Sequence, residues 1–221
     1  MQKKERTVVI PSQVLGETKK FKAGRGTFSE NGKFYSARLG ILSQTSDYIN
    51  VLPITGKYVP VVGDFVIGVV ESASTSSWMV DINSLYPALL HVNEVPWMVD
   101  FGDTEKYLNY GDSVMAKILS VDEQKKIQIT LKDRNLYKIK SGHIIHVEPS
   151  KVPRIIGKKG SMIALLKKYT RCRIFVGQNG MIWIDGDNEG IARILKTIKI
   201  IEEESLSFGL TNKIEELLKN E

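Results

Sequence analysis

The sequence is poor in the residues from which disulfides, metal clusters and membrane spans are built. Its 221 residues include one cysteine, Cys172, and three histidines. Neither an intramolecular disulfide nor a cysteine-based zinc cluster can therefore form. The longest clean apolar stretches, such as residues 65–70, fall far below the roughly 20 residues of a membrane span. The apolar stretch before Pro11 is also too short for a signal-peptide core. A single thiol fits a reducing compartment, and we expect a soluble, cytoplasmic protein.

Catalytic signatures are also scarce. The sequence contains no Walker loop, no G-x-G-x-x-G and no G-x-S-x-G motif,. His143 and His146 lie three residues apart on a predicted strand, which places them on opposite faces and disfavours a metal site. Asp185-Gly186-Asp187 indicates a turn and a helix N-cap rather than a pair of catalytic carboxylates. We therefore predict no enzyme activity, no metal and no cofactor.

The charge that is present is unevenly distributed. Lysine and arginine number 31 against 25 aspartates and glutamates. The net charge is +6 over residues 1–58, −5 over 59–135, +9 over 136–200 and −4 over 201–221. An excess of this size in the third region is typical of polyanion binding. It favours nucleic acid over an acidic protein as the partner.

The first two regions carry the patterns of small β domains. Residues 1–58 hold strand patterns and an Asn31-Gly32 hairpin signal, with residues 34–42 predicted as one strand. Residues 59–135 hold five short strands, which suit an OB-type barrel, with a β-sandwich fragment as the alternative. The predicted strands of this second region are Phe65–Glu71, Trp78–Ile82, Ala88–Val92, Ser113–Val121 and Ile127–Leu131.

The third region, residues 136–205, changes character. Its periodicity predicts the order β-α-α-β-β-α. Residues 206–221 form a last amphipathic helix with an acidic polar face, which either docks on a partner or is simply solvated. The predicted fold class is thus multidomain and mainly β with an α+β end: an N-terminal β domain, a five-stranded OB-type barrel, and an α+β domain followed by a C-terminal helix.

The most informative motif is Gly157-Lys158-Lys159-Gly160, between the first two helices of the third region. Two glycines permit a tight turn that a phosphate backbone can approach closely, and the next helix offers free N–H groups. The lysines add charge without base preference. In this order of elements, the motif indicates a KH RNA-binding module. The predicted RNA-binding residues here are Arg154, Ile156, Gly157, Lys158, Lys159, Gly160 and Ser161. Beside them, Ile155, Ile156, Ile163, Ile174 and Val176 line either the RNA groove or the core.

The barrel offers candidates for local RNA contacts. OB folds bind single strands through aromatic stacking and basic side chains. Trp78 is as consistent with a core position as with stacking on a base. His91 is as consistent with a loop histidine held by local hydrogen bonds as with an RNA contact. The predicted RNA-binding residues of the barrel are Trp78, His91, Lys117, Lys132 and Arg134.

Several segments together resemble one family. Residues 61–70, 78–82, 90–92 and 110–114 resemble an S1 domain, the OB-type unit repeated in a ribosomal protein. The chain as a whole resembles the RNA-binding cap subunits of the archaeal exosome. This resemblance spans nearly its full length, in the same domain order. Residues 151–162 and 176–184 resemble the KH domain of that family, and residues 8–17 and 24–42 resemble its N-terminal β domain. The family often shows Pro-Gly where this sequence has Pro11-Ser12.

The resemblance implies a non-catalytic subunit, three copies of which sit on a hexameric ring of phosphorolytic RNase PH-like subunits. The N-terminal domain would dock on the ring, and the S1 domains would surround its entry pore. The cap would capture single-stranded RNA and guide its 3′ end into the ring for 3′-to-5′ degradation or tailing. The alternatives are a free-standing S1/KH RNA-binding regulator and a nuclease in its own right.

Overall fold

A computed structural model describes residues 7–17, 21–44, 47–204 and 209–220. The chain forms two compact units, the first ending at Gly56 and the second beginning at Lys57. Within the described ranges, no helix is long and apolar enough to cross a membrane.

The first unit consists of two small sheets, with strand orders β1-β6-β7-β3 and β2-β5-β4. Its strands are β1 (Val8–Val9), β2 (Val14–Glu17), β3 (Lys22–Ala23), β4 (Thr27–Glu30), β5 (Lys33–Ser36), β6 (Gly40–Gln44) and β7 (Tyr48–Pro53). The predicted hairpin is confirmed, because β4 and β5 pair antiparallel across Asn31 and Gly32. Both turn residues have positive φ, 48° and 74°, as a type I′ turn requires.

The prediction of one strand over residues 34–42 is wrong. This segment divides into β5 and β6, which belong to different sheets. The chain bends between them, where the Ser36 hydroxyl donates to the carbonyl oxygen of Arg38 at 2.6 Å. Gly40 then lets β6 approach β7 closely, since a Cβ at this position would lie 2.3 Å from the carbonyl oxygen of Leu52.

The second unit begins with the predicted five-stranded barrel, which is confirmed. The strands pair in the order β12-β10-β9-β8-β11, and pairing of β11 with β12 closes the ring. Closure excludes the sandwich alternative. A short strand, β13, extends the edge beside β11. The strands are β8 (Phe65–Ala73), β9 (Ser77–Asp81), β10 (Ala88–His91), β11 (Ser113–Val121), β12 (Ile127–Thr130) and β13 (Lys138–Ile139).

The predicted β-α-α-β-β-α order follows the barrel and is also confirmed. A three-stranded antiparallel sheet, β14-β16-β15, carries the helices on one face. The apolar side of the C-terminal helix, formed by Leu210, Ile214 and Leu218, is buried in the same core. The elements are β14 (His143–His146), α1 (Val152–Ile156), α2 (Ser161–Thr170), β15 (Arg173–Val176), β16 (Met181–Asp185), α3 (Asn188–Glu203) and α4 (Leu210–Asn220).

The other face of this sheet packs against the barrel. Met181 and Trp183 are buried in the barrel's hydrophobic cluster, and Ile144 and Phe175 pack against it. The indole Nε1 of Trp183 donates to the carbonyl oxygen of Ser141 at 2.7 Å. The sheet therefore lies between its own helices and the barrel.

A turn at residues 177–180 fastens the two domains together through Asn179, which is fully buried. Its Nδ2 donates to the carbonyl oxygens of Ile67 at 2.6 Å and Ile82 at 2.9 Å. The backbone carbonyl oxygen of Asn179 accepts a hydrogen bond from Nδ2 of Asn83 at 2.8 Å. Beside it, the backbone N–H of Gln178 donates to the carbonyl oxygen of Phe65 at 2.8 Å. One side chain thus satisfies two buried barrel carbonyls.

Replacing Asn179 by Ala tests this junction. Asn179→Ala leaves the carbonyls of Ile67 and Ile82 without their donor, and each unsatisfied buried group costs about 1–3 kcal/mol. We expect the free energy of unfolding of the second unit to fall by about 2–4 kcal/mol. Urea denaturation followed by tryptophan fluorescence measures this, because all three tryptophans lie beyond residue 56.

Gln178→Ala is the matched control. The side chain of Gln178 is half-buried, and its contact with Phe65 uses the backbone N–H, which the substitution keeps. We expect it to change the unfolding free energy by less than about 1 kcal/mol. Equal effects of the two substitutions would contradict the assigned role of the Asn179 amide.

Candidate nucleic-acid interface

The Gly157–Gly160 loop joins α1 to α2, as predicted. The side chains of Lys158 and Lys159 are exposed. Three of the four loop residues have positive φ: 75° at Gly157, 54° at Lys159 and 78° at Gly160. The two lysines therefore stand on a tight turn, with their ammonium groups open to solvent.

Gly157 is required for steric as well as conformational reasons. A Cβ at this position would lie 2.7 Å from the backbone nitrogen of Met162 and 3.0 Å from the hydroxyl oxygen of Ser161. A Cβ at Gly160 would meet nothing nearer than Ile163, at 3.8 Å. Space is thus limiting at Gly157, whereas at Gly160 only the left-handed backbone favours glycine.

The flanks of the loop divide into core and surface. Ile155, Ile174 and Val176 belong to the hydrophobic core of the third region, with 0%, 5% and 9% of their surface exposed, as the core alternative predicts. Ile156 and Ile163 pack only partly against that core. The apolar wall available beside the loop is therefore these two side chains. The remaining predicted residues border the loop, Arg154 half-buried on α1 and Ser161 exposed at the start of α2.

The structure corrects the prediction for Trp78. Its ring is fully buried in the barrel core, and its Nε1 donates to the carbonyl oxygen of Leu108 at 3.1 Å. Both faces of the indole are covered, so no base can stack on it. The core alternative for this residue is the correct one.

The other barrel candidates lie on the surface. Lys132 and Arg134 are exposed just after β12. His91 is half-buried, and its Nδ1 accepts a hydrogen bond from the backbone N–H of Asn93 at 3.1 Å. This bond caps the short 3-10 turn Val92–Glu94. Of these residues, Lys132 lines the same cleft as Lys117. His91 and Arg134 do not line that cleft.

Lys117 makes two contacts that the sequence did not indicate. Its Nζ lies 2.7 Å from Oδ2 of Asp133 and 5.5 Å from the centre of the Phe65 ring. Phe65 is 37% exposed and is the cross-strand partner of Lys117. An open cleft of about 580 Å³ adjoins this group, lined by Val62, Gly63, Glu94, Lys117, Ile118, Leu119, Thr130, Lys132 and Asp133.

Two residues with a structural role were not singled out by the sequence analysis: Phe65 beside the cleft and Asn179 at the domain junction. Phe65 begins an apolar run and was assigned only to a strand, although first strand positions are often open to solvent. Asn179 was assigned to a turn, and its Gly-x-Asn-Gly context does not reveal that the turn is buried. Among the described residues, no group of three or more His, Cys, Asp or Glu side chains could hold a metal ion.

The fold now defines a class of protein: an OB-type barrel fastened to a KH domain that presents a dibasic Gly-x-x-Gly loop. Family models agree with this domain by domain. Residues 8–45 match the exosome complex exonuclease RRP4 N-terminal region, residues 57–102 match the RRP4 S1 domain, and residues 142–190 match a KH domain.

Curated relatives match along nearly the whole chain. The chain is 46% identical over 217 residues to the exosome complex component Rrp4 of Methanosarcina mazei, covering 98% of this chain and 83% of that protein. It is 43% identical to the Rrp4 component of Thermoplasma volcanium, covering 96% of this chain and 89% of that protein. The chain therefore belongs to the Rrp4 family of exosome components.

A solved structure agrees with the fold. A crystal structure of a protein provisionally named an exosome complex RNA-binding protein superposes with a TM-score of 0.67 at 37% sequence identity. The match covers 75% of this chain and 97% of that chain.

The ion pair between Lys117 and Asp133 in the barrel cleft leads to a prediction about the titration of Asp133. The hydrogen bond from Lys117, with a second from the backbone N–H of Arg134, lowers the pKa of the Asp133 carboxyl below its ordinary value. The pair is thus complete at neutral pH and is lost as the pH falls through the Asp133 pKa. We expect Lys117→Ala to raise this pKa towards the ordinary aspartate value, as measured by carboxyl-carbon NMR titration.

Glu215 on α4 is the reference group for this titration. The hydrogen bond from Lys219, at 2.8 Å, lowers the pKa of its carboxyl, and this titration should not respond to Lys117→Ala. An unchanged Asp133 titration in the variant would show that the ion pair does not form in solution.

Proposed function

We propose that this chain is a non-catalytic, RNA-binding cap subunit of an archaeal exosome, which captures single-stranded RNA and guides its 3′ end into a ring of phosphorolytic RNase PH-like subunits. The ring would then degrade the RNA from 3′ to 5′ or extend it. The observation that carries the proposal is the exposed Lys158-Lys159 pair on a glycine turn of a KH domain, in a chain of the Rrp4 family.

The chemistry of the loop supports RNA as the ligand. Exposed ammonium groups on a turn without bulky side chains can approach phosphate oxygens directly, and KH loops clamp about four nucleotides through their backbone. Lysine contacts to phosphate carry no base preference. The proposed capture step is therefore tolerant of sequence, as suits a subunit that feeds many RNAs to one ring.

The surface of the first unit supports a docking role. Several large apolar side chains there are 40–60% exposed, and exposed apolar patches mark protein contact surfaces. These exposed apolar side chains and the +6 charge of residues 1–58 suit a partner surface that has an apolar patch flanked by acidic residues. The exposed residues are Val8, Ile10, Val14, Phe28, Leu39, Tyr48 and Leu52.

The double variant Lys158→Ala/Lys159→Ala tests the capture step. Exposed ion pairs contribute about 0.2–1 kcal/mol each, so we expect loss of both lysines to lower RNA affinity by about 2- to 30-fold. Loss of two phosphate contacts should also reduce the salt slope, log K against log salt, by about 1.4 for single strands. Fluorescence anisotropy with a labelled single-stranded RNA at several salt concentrations measures both quantities.

Lys196→Ala/Lys199→Ala on α3 is the matched control. It removes the same charge from exposed positions of the same domain, and we expect affinity and salt slope to stay near those of the unchanged protein. Equal losses in both double variants would show that bulk charge, rather than the loop, binds the RNA.

Assembly and catalysis need a separate test. We expect native mass spectrometry of the complex purified from its own cells to show several copies of this chain with ring subunits. A lone species of 24.8 kDa would favour the free-standing regulator instead. We also expect the purified chain to leave a 3′-labelled RNA intact. Degradation by the chain alone would contradict the non-catalytic assignment.

A further inference from the structure

We propose that residues 96–101, which form part of the connection between β10 and β11 and are called the apolar loop below, dock a second protein. The partner surface that fits this loop is an apolar socket rimmed by lysine or arginine. The proposal goes beyond the RNA function proposed above, because it concerns a surface that neither the Gly157–Gly160 loop nor the first unit uses.

The apolar loop carries the two most exposed large apolar side chains of the described residues. Met98 is 90% exposed and Phe101 86% exposed, and they lie three positions apart. Side chains of these types are enriched at protein interfaces, where a few large residues dominate the binding energy. Two of them facing water on one short loop indicate a surface that another molecule covers.

Hydrogen bonds fix the chain on both sides of the apolar loop. Before it, the carbonyl oxygen of Glu94 accepts the N–H of Leu131 at 2.8 Å. After it, the hydroxyl of Thr104, which is 2% exposed, donates to the carbonyl oxygen of Ser74 at 2.6 Å. Met98 and Phe101 therefore stand on a fixed base, and a partner that binds them has little loop entropy to remove.

Trp97 ties the middle of the apolar loop to the barrel. Its ring stacks on that of Tyr107, with the ring centres 6.2 Å and the planes 11° apart. Trp97 and Val99 both pack against the barrel core. The indole Nε1 is covered and has no hydrogen-bond acceptor among the described residues. A buried donor without an acceptor is costly, so a partner that supplies a carbonyl oxygen as the loop adjusts would remove that cost.

A cleft beside the apolar loop can receive a side chain of the partner. It is open, has a volume of about 430 Å³, and is lined in part by Trp97, Met98 and Lys132. The contact would then be reciprocal: Met98 and Phe101 enter the partner, and an apolar side chain of the partner enters the cleft. Interlocking of this kind is typical of the well-packed centre of a protein interface.

The charge around the apolar loop selects a protein over RNA. Residues 92–106 hold four acids and one base, a net charge of −3, and Lys132 at the cleft reduces this only to −2. Asp100, between Met98 and Phe101 in sequence, is exposed. Negative charge at this position repels phosphates and so opposes stacking of a nucleic-acid base on Phe101. It favours a partner whose socket is rimmed by basic side chains.

The apolar loop and the first unit require different partner surfaces. Residues 1–58 carry a charge of +6, and the surface proposed to face them is acidic. The loop carries the opposite sign and needs a basic rim. One partner patch cannot meet both requirements, so the loop would engage a separate site on the same partner or a different protein.

Photo-crosslinking of the full chain in its own cells tests whether such a partner exists. In the variant Phe101→benzoylphenylalanine, we expect irradiation to join the loop to one other protein. Mass spectrometry should map the crosslink to a segment with apolar residues flanked by lysine or arginine. Tyr110→benzoylphenylalanine is the matched control, because Tyr110 is 84% exposed but lies outside the loop, and it should not give this crosslink.

Binding of the crosslinked protein, once purified, measures what the loop contributes. We expect Met98→Ser/Phe101→Ser to weaken binding at least about tenfold, since large apolar anchors dominate interfaces. Asp100→Lys should weaken it at least about threefold. Exchange of one basic residue in the crosslinked segment for glutamate should then restore binding to Asp100→Lys while weakening binding to the unchanged chain.

Two control variants match these changes on the same barrel. Tyr110→Ser removes an exposed ring, and Glu123→Lys reverses an exposed charge in the turn between β11 and β12. We expect each to leave binding of the crosslinked protein within about twofold of the unchanged chain, since neither residue lies in the loop. Equal losses in controls and loop variants would contradict the assignment of the contact to residues 96–101.

The outcomes distinguish this proposal from the RNA function. A crosslink only to RNA, only to this chain or to nothing would overturn it, as would full binding by Met98→Ser/Phe101→Ser. That variant should bind single-stranded RNA within about twofold of the unchanged chain, and a larger loss would place the loop on the RNA path instead. If Lys158→Ala/Lys159→Ala leaves RNA binding unchanged, the proposed function fails while the docking result stands.

Discussion

The structure of the second unit depends on one carboxamide. The Asn179 side chain is removed from water and donates to backbone carbonyls on two different parts of the barrel, Ile67 and Ile82. Because a buried polar group without a partner is costly, this pairing admits few other arrangements of the two domains. It fixes one face of the KH sheet against the barrel, and the helices that flank the dibasic loop pack on the other face.

Much of this fold could be predicted from the sequence, because its main signals are local. Strand alternation, helical spacing and the two glycines of the Gly157–Gly160 turn each act within a few residues, and the β-α-α-β-β-α order and the barrel strands followed from them. What failed depends on partners distant in sequence. Alternation marks one face of a strand without saying whether that face is inside, so Trp78 was open to two interpretations. Nor does alternation show that residues 34–42 cross from one sheet to another. Asn179 carries the signal of a turn, and its partners lie about a hundred positions earlier in the chain.

The uneven charge of the chain acquires a structural meaning. Lys158 and Lys159 stand on a turn open to solvent, whereas Lys117 in the barrel is held by Asp133. In the acidic helix α4, Glu215 pairs with Lys219 at 2.8 Å. The apolar side of the same helix packs in the KH core. The acidic tail therefore has a packing role of its own. The same formal charge is thus available for binding in one place and internally compensated in another, which net charge alone cannot show.

The burial of the KH sheet against the barrel bears on how the protein is made. Met181 and Trp183 are covered by barrel residues, so a KH domain without its barrel would expose an apolar, aromatic sheet face of the kind that promotes aggregation. Synthesis from the N-terminus presents the barrel first, and domains generally fold in that order. The barrel can therefore be complete when the KH sheet is synthesised, so that the apolar face of the sheet has a surface to pack against at once. The order of the domains along the chain thus shortens the time for which that face is exposed.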